Sequence, residues 1–207
     1  MMIFESLRVG LFQCNCIILG CERTRSAIVI DPGDEGARIT ALLRQRGLTA
    51  IYAVHTHAHL DHIGGTKDVA ADTGALTGLH EDDLFLRDNL ARQAELFGLP
   101  TPPTPEISFF LKDGVALTFG THRMEVLHTP GHTPGSVSFY VPEIGLVTGD
   151  TLFAGSVGRT DLWGGSHTTL IQSIRKQLLS FPEDTVVYPG HGHQTTIGKE
   201  RNTNPYL

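Results

Sequence analysis

His55-Thr56-His57-Ala58-His59-Leu60-Asp61-His62 packs four histidines into eight residues, and its core has the form H-x-H-x-D-H. Imidazole is the commonest protein ligand for zinc and also suits iron, and a carboxylate completes such sites. The grouping reads as ligands for two metal ions. Structural zinc sites usually close with four protein ligands and often include cysteine. A cluster of histidine and aspartate therefore points to metal-dependent catalysis.

The residues before the cluster explain how it is presented. Ile51-Tyr52-Ala53-Val54 is a short apolar run of β-forming residues and predicts a buried strand that ends at the histidines. In extended chain His57 and His59 share a side. Asp61 and His62 are adjacent and do not, so a bend is expected there, with Gly64-Gly65 supplying the freedom for it. A histidine-rich loop without metal is the alternative, and the recurrence of the same logic elsewhere argues against it.

Three distant positions repeat that logic. His132 lies in Thr129-Pro130-Gly131-His132-Thr133-Pro134-Gly135, after the apolar Glu125-Val126-Leu127. Asp150 ends Leu146-Val147-Thr148-Gly149-Asp150, and His191 ends Val186-Val187-Tyr188-Pro189-Gly190-His191. Each is a predicted strand running into a Gly-containing turn, which brings a ligand-type side chain to a sheet edge, where loops commonly carry function. A lone aspartate or histidine beside glycine is ordinary turn chemistry; three such turns plus the cluster are not. A carboxylate has two oxygens and can bridge two cations, the natural role for Asp150.

In this order the residues His57, His59, Asp61, His62, His132, Asp150 and His191 resemble the ligand set of the metallo-β-lactamase superfamily, over nearly the whole chain. The stretches Leu152–Asp161, Thr195–Arg201 and Asn204–Leu207 resemble its short, single-domain glyoxalase II-like branch. The resemblance implies an α/β fold, a four-layer αβ/βα sandwich of two mixed β-sheets flanked by helices. It implies one domain over residues 1–207, without the C-terminal helical domain of the larger glyoxalase II enzymes. It also implies two divalent metal ions per chain, zinc first, with iron or manganese as alternatives. His57, His59 and His132 would hold the first ion, and Asp61, His62 and His191 the second, with Asp150 bridging.

The activity so implied is hydrolysis of a thioester, S-lactoylglutathione or a related hydroxyacylglutathione, by a metal-bound hydroxide that Asp61 helps to orient. Two departures bear on the substrate. Much of the glutathione site of the larger enzymes lies in the helical domain, and the Gly158-Arg159-Thr160-Asp161 loop differs from theirs. The rival reading is a persulfide dioxygenase, an oxidoreductase with one iron on two histidines and an aspartate, here His57, His132 and Asp150. The intact Pro189-Gly190-His191-Gly192 turn favours the two-metal hydrolase. Lactone hydrolysis fits the same chemistry, and a metal-binding module without catalysis is a third reading.

Composition agrees with one globular enzyme. The formal net charge of −6 argues against a general nucleic-acid surface, and no apolar run approaches the ~20 residues of a membrane span. The N-terminus lacks a secretory pattern, so cytoplasmic residence is the default expectation. Cys14, Cys16 and Cys21 are expected as reduced thiols packed in the core, in preference to a Cys-x-Cys metal site.

Other expectations are more local. Ile39, Leu42 and Leu43 predict a helix that Gly47 ends, residues 66–73 a short helix, and Leu86, Leu90, Ala94 and Phe97 one longer helix. Leu170, Ile174 and Leu178 mark the last helix. Pro100–Pro105 reads as a stiff connector in preference to a pocket wall. Arg159 either binds a substrate carboxylate or pairs with Asp161. His55 and His128 sit where they can orient ligands; His80, His122, His167 and His193 read as surface residues.

Overall fold

The computed structural model describes Met1–Leu207, and the chain divides into two compact units. The first comprises Met1–Leu111 with Thr118–His122, and the second Lys112–Leu117 with Arg123–Leu207. Each has its own sheet and its own core. No helix is long and apolar enough to cross a membrane.

The first unit is built on a six-stranded mixed sheet in the order β1 (Met2–Val9), β2 (Cys14–Cys21), β3 (Ser26–Ile30), β4 (Thr49–Val54), β5 (Leu76–Leu79) and β6 (Phe109–Phe110). β1 to β3 pair antiparallel, and β3 to β6 run parallel. Parallel strands need crossovers, and helices α1 (Gly36–Arg46) and α3 (Thr66–Thr73) provide them. Their Ile39, Leu43 and Val69 pack with Cys16, Ile18, Val29 and Ala53 in one cluster. Gly47 ends α1 at φ 62°, with Leu48 N–H donating to the Leu43 carbonyl at 2.8 Å, as expected of a glycine after a helix.

The second sheet has the order β14 (Thr195–Thr196), β13 (Val186–Pro189), β10 (Gly145–Gly149), β9 (Val137–Val141), β8 (His122–His128) and β7 (Ala116–Phe119). A small ribbon, β11 (Leu152–Phe153) with β12 (Ser156–Val157), follows β10. Leu170, Ile174 and Leu178 lie with Leu146, Val187 and Ile197 in one buried cluster. The mixed α/β class and the two mixed sheets with helices are those expected.

Three local expectations need correction. The predicted helix from Leu86 to Phe97 is broken into two short ones, α4 (Leu84–Asp88) and α5 (Leu90–Leu96), with a 3-10 turn at Glu81–Asp83 ahead of them. Asn89 makes the break: its backbone leaves helical geometry at ψ 25°, and its side chain donates to the Phe85 carbonyl at 2.8 Å. Asparagine competes for backbone partners in this way and is a poor helix-interior residue. The expected last helix is α6 (His167–Ser173) continued by a wider π turn at Ile174–Leu178, and a further helix, α7 (Ile197–Thr203), follows it. His80 and His122 are half-buried, whereas His167 and His193 are exposed as expected.

Helix α7 carries a carboxylate that the sequence did not flag. Glu200 is fully buried and accepts from the Thr195 hydroxyl at 2.6 Å, the Gly155 N–H at 2.8 Å and the Asn204 amide at 2.8 Å. It ties β14, the β11–β12 ribbon and the C-terminal end of α7 to one side chain. Glu200→Ala strips three donors of their acceptor, and a loss of about 2–4 kcal/mol is expected. Chemical denaturation would read it; an unchanged midpoint would show that these bonds are replaced by water at no cost.

Candidate metal centre

The histidine cluster leaves the end of β4, and its neighbour β3 ends beside it, with Ile30 in register with Val54. The next residue after β3, Asp31, adopts φ 51° and donates its N–H to the Val54 carbonyl at 2.9 Å. Its carboxylate turns into the cluster. It accepts from the Thr56 N–H at 2.7 Å, the Thr56 hydroxyl at 2.7 Å and His62 Nδ1 at 3.0 Å, all buried. An ionised carboxylate only accepts, so Nδ1 of His62 carries the proton and Nε2 presents its lone pair. Because the Thr56 hydroxyl proton is committed to Asp31, its oxygen accepts from His57 Nδ1, 3.0 Å away. One aspartate thus fixes the tautomers of two histidines, directly at His62 and through Thr56 at His57.

Asp61 and His62 are brought round by a single helical turn, α2 (Leu60–Ile63), that starts directly after His59. The bend therefore comes earlier than Gly64-Gly65, whose backbones are both right-handed helical. The glycines serve close approach instead. A Cβ on Gly64 would meet the Gly33 carbonyl oxygen at 2.7 Å, and one on Gly65 the Pro32 oxygen at 2.9 Å. A Cβ on Gly33 would overlap the Asp61 carbonyl oxygen at 1.6 Å.

The loop before α2 is held from the other side. Asp83 accepts from the Ala58 N–H at 3.0 Å, and Gln93 accepts from the Leu60 N–H at 2.9 Å while donating to the Ala58 carbonyl at 3.2 Å. Both neighbours of His59 are pinned. The rings of His57 and His59 lie 4.7 Å apart, those of His57 and His62 4.0 Å.

In the second unit, β10 and β13 are parallel neighbours with Gly149 opposite Pro189, so Asp150 and His191 leave the same sheet edge. Gly190 N–H donates to the Gly149 carbonyl at 2.7 Å and locks the two turns together. His132 follows β8 in a loop clasped by α6: Ser166 N–H donates to the Gly131 carbonyl at 2.8 Å, and the Ser173 hydroxyl to the Pro130 carbonyl at 2.7 Å. His132 Nδ1 donates to the Arg159 carbonyl at 2.7 Å, which again puts the ring proton on Nδ1 and the lone pair on Nε2. A Cβ on Gly158 would sit 1.8 Å from the Asp150 carbonyl oxygen and 3.3 Å from His132 Cβ, so that loop can lie here only as glycine.

The spacing of donor atoms separates metal ligands from hydrogen-bonded pairs. His62 Nε2 is 3.7 Å from Asp61 Oδ2, His132 Nε2 is 3.8 Å from Asp150 Oδ2, and His191 Nε2 is 3.7 Å from Asp150 Oδ1. These exceed hydrogen-bond lengths. Two donors at ~2.1 Å from one tetrahedral ion lie roughly 3.4 Å apart, which is close to all three. The two histidines address different oxygens of Asp150. The donor set is imidazole and carboxylate, suited to zinc, iron or manganese.

The remaining expectations divide. His55 Nδ1 donates to the Gly78 carbonyl at 2.9 Å, and Nε2 accepts from the Thr66 hydroxyl at 2.7 Å. Burial lowers its pKa and keeps it neutral; it ties β4 to β5 and α3. His128 Nε2 donates to the Pro134 carbonyl at 2.9 Å and supports the His132 loop. Arg159 grips Asp161 through both carboxylate oxygens, at 2.7 and 2.8 Å, and holds that carboxyl down to about 2. The structure thus has its guanidinium in the loop-holding arrangement, while its carbonyl serves His132. All three cysteines are free and buried. Cys14 packs its sulfur 3.6 Å from His62 Nδ1, and burial pushes its thiol up to about 12, so it stands there as a neutral group.

Asp31 was missed as a site residue because Asp31-Pro32-Gly33 reads as a turn. The available signal was a buried-type strand, Ala27–Ile30, running into an aspartate, the same pattern that marks Asp150.

A family model described as the metallo-beta-lactamase superfamily matches residues 9–191. The chain is 39% identical to the hydroxyacylglutathione hydrolase GloC of Haemophilus influenzae, over 100% of this chain and 98% of that protein. It is 34% identical to the human mitochondrial persulfide dioxygenase ETHE1, over 92% of this chain and 70% of that one. Among solved structures, the BLEG-1 B3 metallo-beta-lactamase matches with a TM-score of 0.92 at 38% identity, covering 99% of each chain. TTHA1623 in a di-iron-bound form matches with a TM-score of 0.88 at 39% identity, covering 98% of this chain and 100% of that one.

Outer partners of ligand histidines typically set 10–100-fold in metal affinity. Asp31→Asn keeps the volume but removes the charge and one acceptor, so metal affinity should fall by that order with the circular dichroism unchanged. Metal analysis after dialysis against a graded chelator would measure it, and wild-type retention would deny Asp31 its orienting role.

Proposed function

The chain belongs to the metallo-beta-lactamase superfamily, and from that premise we propose that it is a metal-dependent thioesterase acting on S-lactoylglutathione or a related hydroxyacylglutathione. The observation that carries the reading is the likeness to a hydroxyacylglutathione hydrolase along the whole chain. The ligands proposed are His57, His59 and His132 for one ion, Asp61, His62 and His191 for a second, and Asp150 between them. Zinc is the first choice, with iron or manganese as alternatives.

Divalent ions held there would lower the pKa of a water and polarise a carbonyl. The protein's own contribution starts from fixed geometry. Asp31 and Thr56 keep His57 and His62 in the tautomer that offers Nε2, and the Arg159 carbonyl does so for His132. Asp61, with 23% of its side chain exposed, faces solvent beside the buried His62. It can orient the attacking water and draw its proton as the carbonyl carbon becomes tetrahedral. When the C–S bond breaks, a thiolate leaves, and a thiol of pKa ~8.5 needs no strong acid to depart. That lack of an acid requirement fits a site whose side chains are ligands and acceptors.

The persulfide dioxygenase likeness favours a second reading in which one iron sits on His57, His132 and Asp150 and the reaction consumes oxygen. Purified chain reloaded separately with zinc, iron and manganese should hydrolyse S-lactoylglutathione at roughly 1–1000 per second and lose this on chelation. Asp150→Ala should lower the rate by at least ~1,000-fold and reduce bound metal. No hydrolysis with any metal, together with oxygen uptake on glutathione persulfide, would replace the first reading by the second.

A further inference from the structure

The first unit contains a cavity of about 280 Å³, bounded by the β1–β2 turn, the start of α2 and the proline-rich segment after α5. Asp61 lines it, so a proposed metal ligand forms part of its wall. Pro100–Pro103, expected as a plain connector, lines it too. The segment is fastened from below by Arg87, which donates to the Pro105 carbonyl at 2.8 and 2.6 Å. The stiffness of the prolines thus gives a wall and not a spacer.

The apolar lining comes from Phe12, Leu60, Leu99 and Pro102. Phe12 stands at the turn after Gly10, whose φ is 67°, and rests edge-on against Phe97 with ring centroids 5.1 Å apart. The polar side chains of the lining are Thr101 and three carboxylates, Asp34, Asp61 and Asp68, and no lysine, arginine or histidine contributes. Asp34 is fixed by the Glu35 N–H at 2.6 Å, and neither Asp34 nor Asp68 is ion-paired by a basic side chain within the cavity wall.

A thioester has two ends, and this lining distinguishes them. A glutathionyl end carries two carboxylates, which Asp34 and Asp68 repel. The volume lies just below the ~300–1,000 Å³ usual for drug-sized ligands, small for a tripeptide and ample for a short acyl chain. We propose that this cavity is the acyl subsite: it takes an uncharged, partly apolar acyl group whose carbonyl lies at Asp61, and it rejects acyl groups that end in a carboxylate. The assignment rests on the thioesterase reading for the word acyl. The preference for an uncharged apolar tail beside the metal ligands stands on the cavity itself.

Alkyl hydroxamates test the cavity without any hydrolysis, because the hydroxamate chelates a metal ion and directs its tail into the adjoining space. Metal-loaded full-length chain would be titrated by calorimetry with acetohydroxamate, hexanohydroxamate and the monohydroxamate of succinic acid. Burial of a methylene at ~0.8 kcal/mol is worth roughly 4-fold, so the hexanoyl tail should bind at least ~10-fold tighter than acetyl. The carboxylated tail should bind more weakly than butanohydroxamate, the uncharged probe of equal length titrated beside it, and Asp34→Asn with Asp68→Asn, or added salt, should narrow that gap. Phe12→Ala should cut the hexanoyl advantage at least ~3-fold while leaving acetohydroxamate affinity in place. Equal affinity for all the probes, an advantage untouched by Phe12→Ala, or no hydroxamate binding by metal-loaded protein would each overturn the subsite. Hydrolysis of lactoyl, hexanoyl and succinyl thioesters of one thiol, run in parallel, reports on the reaction separately: absent turnover with the hydroxamate ranking intact removes the thioesterase and keeps the cavity.

Discussion

The buried carboxylate of Asp31 is the interaction on which the histidine cluster of the first unit depends. Four histidines in eight residues are useless as ligands until each ring nitrogen has a settled role, since a neutral imidazole is donor at one nitrogen and acceptor at the other. Asp31 settles two of them, and it does so from a residue whose own backbone is held at φ 51° by the end of β3. A buried carboxylate without partners would be costly. Here three donors surround it, and the neutral Cys14 thiol lies 3.6 Å from Nδ1 of His62 without adding a competing charge. The network is therefore both the means of orientation and the condition under which a carboxylate is tolerated at that depth.

The second unit solves the same problem with main-chain atoms. His132 receives its tautomer from a carbonyl, that of Arg159, and the loop supplying it is pressed so close to Asp150 that Gly158 has no room for a side chain. Parallel β10 and β13 put Asp150 and His191 at one edge, and a single 2.7 Å bond between their turns sets the spacing. In each unit proposed ligands follow the ends of parallel strands, β4 in the first and β10 and β13 in the second, where the chain must turn.

What could be read from the sequence follows from how local each feature is. The strand before the cluster, the end of α1 at Gly47 and the span of α3 follow from short-range rules of burial and backbone freedom, and the structure has them where the residues place them. The break at Asn89 turns on one side chain bonding to one carbonyl four residues back, which periodicity of apolar residues does not register. The role of Gly64 and Gly65 was misread because glycine signals either a bend or a close approach, and only the position of the Asp31–Asp34 turn distinguishes them. Asp31 itself lies 31 residues in sequence from His62. Its one local mark is the strand that runs into it, and the pairing of β3 with β4 is what brings it beside the cluster.

The electrostatics bear on what the site can select. Arg159 is already engaged, for it holds Asp161 through two of its nitrogens. No cationic side chain lines the cavity beside Asp61, and the charged groups that line it are all carboxylates. A guanidinium in a bidentate pair must give up that pair before it can serve another carboxylate, so its net contribution to substrate affinity is small at an exposed position. Recognition through the anionic end of a substrate would then have to work against a chain of net charge −6. Recognition through an uncharged acyl end does not, and it places the selective contacts next to the residues that carry the chemistry, where differences in fit act on the transition state as well as on binding.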